Sequence, residues 1–158
     1  MKTRNDFVSN SSSCSFVIND VAAGLKTLKD FDILDASDMN DLSVNFILSE
    51  DVFNALNMPK LESWRDDRSH EVFCRCEPYE LLQLPKLAIE NLTKLEFQCD
   101  DYEQQAVFIL SLLFEALRIK GIDVDNDNSE IDFPSVNDSD CVAAKLLNYI
   151  ARSGGKRL

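Results

Sequence analysis

Histidine is nearly absent from this chain, which has a single one, His70, in 158 residues. Nucleophilic serine and cysteine enzymes usually need a nearby base, most often histidine, so at most one such site could form. The sequence has no Gly-x-Ser-x-Gly turn and no glycine-rich phosphate loop. It also lacks the run of about 18 apolar residues that spans a membrane, and the apolar core of a secretory signal. No motif specifies a reaction, and we expect neither membrane insertion nor secretion.

Basic residues are scarce as well. The formal net charge is −12, and residues 5–151 hold all 28 acidic residues but only 11 of the 16 basic ones, a net −17. Such a body repels nucleic-acid phosphates and anionic lipids. The charge is explained by solubility alone, but an acidic surface can also dock on a basic partner. We therefore expect no direct contact with nucleic acid or membrane, and a protein partner with a basic surface.

Five cysteines are present, and without a secretory signal they are expected to be reduced thiols in the cytoplasm. Hydrophobic residues make up 45% of the chain, which favours a folded core over disorder.

Apolar residues cover every side of a helix predicted at 101–120, so that helix should be buried. Alternating apolar and polar residues predict strands near 14–18, 42–48, 70–76 and 93–99. Shorter helices are predicted at 20–31, capped by Asp20, at 50–57, capped by Ser49, at 139–152, and at 77–91 with a break at Pro85. Gly121 can end the helix at 101–120 in the left-handed conformation. Residues 60–69 are expected to be a polar loop with Trp64 packed onto the core.

The predicted fold is α+β, with a mixed sheet of about four strands packed around a buried central helix (101–120) and shorter flanking helices. Residues 1–152 are expected to form a single acidic domain, followed by a loose basic tail at 153–158.

His70, Cys74 and Cys76 are the candidate metal ligands. Side chains two residues apart on a strand share a face, so a strand over 70–76 would direct all three the same way. Cys14 and Cys99 could complete a zinc site if their strands were neighbours. The spacing is not that of paired zinc knuckles, and cysteines also fill cores as small apolar side chains. The sequence leaves core filler, zinc ligand and reactive thiol open.

Alternating carboxylates suggest a calcium loop at Asp123, Asp125, Asp127, Glu130 and Asp132. The pattern lacks the glycine at position six and the glutamate at position twelve, which are Asn128 and Pro134 here. A solvated acidic loop is the simpler interpretation.

The residues Lys2–Phe16, KTRNDFVSNSSSCSF, resemble a leader that opens many otherwise dissimilar bacterial and phage proteins. The usual leader has serine where this chain has Cys14. The resemblance implies a bacterial or phage origin and no particular activity.

These observations favour a non-catalytic acidic protein that binds a protein partner, such as a phage-encoded inhibitor or accessory factor. One alternative is a zinc-binding or thiol-dependent protein that uses His70, Cys74 and Cys76. Another is a virion-associated structural component. No cofactor is expected.

Overall fold

A computed structural model describes residues 13–66, 68–100, 104–126 and 141–153. In these residues six strands form one sheet: β1 (Ser13–Ile18), β2 (Ser43–Ser49), β3 (Glu62–Asp66), β4 (Glu71–Cys76), β5 (Leu95–Asp100) and β6 (Val124–Asp125). Their order is β3-β4-β2-β5-β1-β6, and each neighbouring pair is antiparallel. The fold is therefore α+β as predicted, but with six strands instead of about four, and without the parallel pairs of a mixed sheet.

One face of the sheet forms the main core. It carries Phe16 and Ile18 on β1, Phe46 on β2, Phe97 on β5 and similar apolar residues, all of them buried. Phe16 stacks on Phe97 with ring centroids 5.5 Å apart, so the two strands are joined by an aromatic pair as well as by backbone bonds. The same face also carries four cysteines, Cys14, Cys74, Cys76 and Cys99.

Within the described ranges, five α-helices accompany the sheet: α1 (Val21–Phe31), α2 (Glu50–Leu56), α3 (Lys86–Asn91), α4 (Gln104–Lys120) and α5 (Cys141–Arg152). Short 3-10 helices occupy Ser37–Met39 and Pro78–Gln83. The predicted central helix is α4, which packs against β1, β5 and α5. Phe108, Leu112 and Leu113 are buried, which confirms that α4 is a core helix. None of the helices in the described ranges has both the length and the apolarity needed to cross a membrane.

Several helices begin or end at the residues that the sequence indicates. Asp20 accepts a hydrogen bond from the Ala23 N–H at the start of α1, and Ser49 accepts one from Val52 at the start of α2. Pro85 separates the 3-10 helix from α3. Gly121 ends α4 with φ +94°, a conformation that glycine adopts without strain.

A glycine inside α1 has a packing reason. A Cβ atom placed on Gly24 would lie 2.6 Å from Cγ2 of Ile18, so only glycine lets α1 approach β1 this closely. The helix gives up some intrinsic stability there in exchange for contact with the sheet.

Two strands were not predicted. β3 lies inside the segment expected to be a polar loop, where exposed charged residues hide the strand pattern. β6 has only two residues, paired with Val17 and Ile18, and is too short for a periodic signal.

Candidate functional site

The face of the sheet opposite the main core carries an exposed apolar row. Directly paired residues of antiparallel strands point to the same side, so the register aligns Ile47 of β2, Phe73 of β4 and Trp64 of β3. We call these three residues the apolar row. Trp64 stacks on Phe73 with ring centroids 6.0 Å apart and an interplanar angle of 11°. Trp64 is 37% exposed, and Phe73 and Ile47 are half-buried, so the row is open to solvent on β3 and β4.

Carboxylates lie on both sides of this row. Glu62 and Asp66 flank Trp64 at two residues' distance along β3, on the same face, and Glu71 lies opposite Asp66 on β4. The Arg68 N–H donates to Asp66 Oδ1 at 3.0 Å. That bond, followed by one from Ser69, lowers the pKa of Asp66 below its usual value. Asp66 therefore remains an anion at mildly acidic pH, and the row is acidic at this end. At the other end Glu62 lies opposite Arg75 of β4.

The outer strand β3 is held in place by Arg65, on the strand's other side. Arg65 Nη1 donates to Glu50 Oε2 at 2.7 Å, and Nη2 donates to Asn54 Oδ1 at 2.9 Å. Its guanidinium also lies 5.5 Å from the centre of the Phe53 ring. These contacts attach β3 to α2, so Trp64 is presented on an anchored strand. The bond from Arg65 also lowers the pKa of Glu50, with a smaller contribution from His70.

A polar network occupies the same face further inward. Asn45 Nδ2 donates to Glu96 Oε1 at 2.9 Å and to Gln98 Oε1 at 2.8 Å. Arg75 completes the network, donating from Nε to Asn45 Oδ1 and from Nη2 to Gln98 Oε1, each at 3.0 Å. Asn45, Glu96 and Gln98 are buried, whereas Arg75 is half-buried. Asn45 and Arg75 lie two residues along β2 and β4 from Ile47 and Phe73, so the network adjoins the apolar row.

One cavity adjoins the apolar row, and another lies beside Glu62 and Arg75. One, of about 260 Å³, lies beside Ile47 and is lined also by Ser49, Glu71 and Lys94. The other, of about 290 Å³, is lined by residues that include Ser43, Lys60, Glu62, Arg75, Glu77 and Glu80. Both have mixed-charge walls, which suit the rim of a protein contact better than a closed apolar ligand pocket.

The structure does not bring the predicted metal ligands His70, Cys74 and Cys76 together at one site. Strand β4 begins at Glu71, and His70 lies in the preceding turn with φ 59° and an exposed side chain that faces Glu50. The expectation that His70 lies on the strand is therefore wrong, because a left-handed residue ends the turn between β3 and β4. Within the described parts of the chain, no three His, Cys, Asp or Glu side chains are placed to hold a metal ion.

The cysteines are also divided between distant strands. Cys14 and Cys99 face each other on β1 and β5, but Cys74 and Cys76 lie on β4, with β2 in between. Strands lie about 4.8 Å apart, so β4 and β5 are about 10 Å apart, too far for one tetrahedral zinc. Burial raises the pKa of the Cys74 thiol to about 12, and burial also raises that of Cys76. Since the thiolate is the nucleophile, these two thiols are poorly reactive at neutral pH.

The predicted acidic loop is only partly within the described ranges. Asn19 Nδ2 donates to Asp125 Oδ2 at 2.8 Å and to Asp123 Oδ1 at 3.3 Å, so both carboxylates bond the end of β1. Asp127, Glu130 and Asp132 lie outside the described residues, as do most of the leader and the tail after residue 153.

Sequence reasoning missed the most exposed aromatic side chain of the sheet. Trp64 was expected on the core, but it lies on the outermost described strand and contacts Phe73 on the opposite face. The available signal was the alternation of Glu62, Trp64 and Asp66, in which a single tryptophan stands between two carboxylates. Comparisons with models of protein families, with curated proteins and with solved structures find no significant match.

Proposed function

We propose that this is a non-catalytic acidic protein that binds a protein partner through the apolar row, and that the contacting surface of the partner is basic. One observation carries the proposal: the chain's only tryptophan lies exposed on an outer strand, stacked on Phe73, with carboxylates on either side. Tryptophan is among the residues that dominate binding energy at protein interfaces.

The charge of the surroundings supports a basic partner. Glu62 and Glu71 are exposed beside the row, and the chain as a whole has a net charge of −12. Complementary charges increase the rate of encounter and fix the orientation of partners. Exposed charges of this kind are screened by salt, so the interaction should weaken as ionic strength rises.

The leader residues and the reduced cysteines complete the proposal. They suit a cytoplasmic bacterial or phage protein that acts as an inhibitor or accessory factor by occupying a basic surface of another protein. Elemental analysis of the purified chain should accordingly find no stoichiometric zinc. One zinc per chain would favour the metal-binding alternative instead.

The test compares partner capture by the wild-type chain and by Trp64→Ala. A partner identified by mass spectrometry is then purified and bound again in isolation, at low and high salt. We expect Trp64→Ala to weaken binding by about tenfold or more, corresponding to about 1.4 kcal/mol. Tyr79→Ala is the matched control, because Tyr79 is a similarly exposed aromatic side chain, 42% accessible, outside the row. Equal losses in both variants, or no loss in either, would contradict the proposal.

A further inference from the structure

We infer that the outer edge of β3 accepts an extended segment of the partner as an added strand, and that this segment carries Lys or Arg two residues to either side of an apolar residue. The inference rests on the proposed function and specifies the chemistry of the partner at the same site.

The first observation is the exposure of the edge. β3 stands at the end of the strand order, where β4 is its one neighbour among the described strands. Residues 62–65 are all exposed, and none of the strands that the structure describes pairs with the outer edge of β3. An outer strand presents alternate backbone N–H and C=O groups that can pair with another extended chain.

The second observation is that β3 is already ordered. Arg65 bonds Glu50 and Asn54 of α2, and Trp64 stacks on Phe73 of β4. Binding therefore need not order this strand, and the entropy lost on association falls mainly on the incoming segment.

The third observation sets the pattern of the incoming segment. Glu62, Trp64 and Asp66 share one face, so the residues that pair with them lie on that face too. Opposite charges and apolar-aromatic contacts are the favourable cross-strand pairs. The matching segment is basic-x-apolar-x-basic. Because this pattern reads the same in both directions, it does not depend on the direction of the added strand.

The same charges disfavour a second copy of this chain as the occupant. Antiparallel pairing of two β3 strands centred on Trp64 would place Glu62 opposite Asp66 at both ends. Like charges directly opposite each other destabilise a strand pair, and each copy also has a net charge of −12. A basic segment turns both of these unfavourable pairs into favourable ones.

The experiment uses the full chain and a synthetic peptide, acetyl-Gly-Arg-Thr-Ile-Thr-Arg-Gly-amide. Trp64 is the only tryptophan, and the peptide has none, so a change in tryptophan fluorescence reports the site directly. A peptide of the same composition with adjacent arginines (Gly-Arg-Arg-Thr-Thr-Ile-Gly) tests the spacing. A version with glutamate in place of arginine tests the charge. We expect the spaced peptide to bind about tenfold or more tightly than the rearranged one, and the glutamate version not to bind.

Backbone methylation distinguishes strand addition from simple charge attraction. Alternate N–H groups of an added strand face β3, so N-methylation of one alternating set should abolish binding while methylation of the other set preserves it. Equal effects of the two sets would overturn the inference, as would equal binding of the spaced and rearranged peptides or no fluorescence change with the spaced peptide.

Variants of the chain locate the charges by anisotropy of a labelled peptide. Glu62→Gln with Asp66→Asn should weaken binding by about tenfold and flatten its salt dependence. Asp30→Asn with Glu90→Gln removes the same charge from exposed helix positions and should change binding less than about twofold. If peptide binding fails while Trp64→Ala still abolishes partner capture, strand addition is wrong and the proposed function stands. If Trp64→Ala leaves capture intact, the proposed function itself fails.

Discussion

Strands β5 and β3 belong to one sheet but have opposite surroundings. Residues 95–99 of β5 are buried on both faces, apolar against the core and polar within the Asn45 network. Residues 62–65 of β3 are exposed. Each strand carries a glutamate and a second polar residue on one face, Glu96 with Gln98 on β5 and Glu62 with Asp66 on β3. The position of a strand within the sheet therefore decides whether its polar side chains are buried in the fold or exposed to a partner. The residue pattern of the strand does not decide this.

The largest loss of stability is expected from a substitution in the buried strand β5. Phe97→Ala removes a fully buried ring that stacks on Phe16, and should lower the free energy of unfolding by about 3–5 kcal/mol. Urea denaturation monitored by circular dichroism measures the change. A loss no larger than that of Trp64→Ala would remove the contrast between the two strands.

A smaller loss of stability is expected from a substitution in the polar network around Asn45. Asn45→Ala deprives Glu96, Gln98 and Arg75 of their shared partner, and should cost about 1–3 kcal/mol because buried polar groups lose hydrogen bonds. Asn54→Ala is the control on the exposed side, where Asn54 accepts one bond from Arg65 and water can replace it. That control should cost about 0.5 kcal/mol or less, and a comparable loss in both variants would show that burial does not set the cost.

Trp64→Ala should affect stability less than Phe97→Ala. The substitution removes one stacked aromatic pair and part of a ring's buried area at a partly exposed site, a loss of about 1–3 kcal/mol in urea denaturation. The binding loss proposed above should therefore occur in a chain that remains folded. A collapse of the fold in this variant would instead make Trp64 a core residue.

The smallest effect is expected at the ion pair that holds β3 to α2. The pKa of Glu50 is lowered by the bond from Arg65. Its contribution to stability is thus fully present above the ordinary value of 4.5 and is lost as pH falls through the lowered folded-state pKa. Denaturation between about pH 3 and 7 should show this decline in the wild-type chain, and a flatter profile in Glu50→Gln. Identical profiles would show that the ion pair between Arg65 and Glu50 does not contribute to stability.

The features that the sequence predicted correctly depend on neighbouring residues. The caps at Asp20 and Ser49, the break at Pro85 and the stop at Gly121 each act within one turn, so local chemistry is sufficient. The burial of α4 followed from its apolar composition alone.

The features that were missed depend on distant residues. Gln98 and Glu96 alternate as outward residues would, but both are buried, and Asn45 of the neighbouring strand β2 donates a hydrogen bond to each. Trp64 could not be placed because its exposure depends on β3 being the outer strand, which no local pattern encodes. The thiols of Cys74 and Cys76 stay apart from Cys99 because β2 inserts between their strands.

The position of β1 has a consequence during biosynthesis. It is the first of the strands that the structure describes, yet Ser13 pairs with Asp100 and Ile18 with Val124. A ribosome must therefore translate past residue 100 before Phe16 and Ile18 gain their partners, whereas the hairpin of β3 and β4 needs only its own residues. We expect the nascent chain to expose an apolar strand for most of its translation and to engage ribosome-associated chaperones.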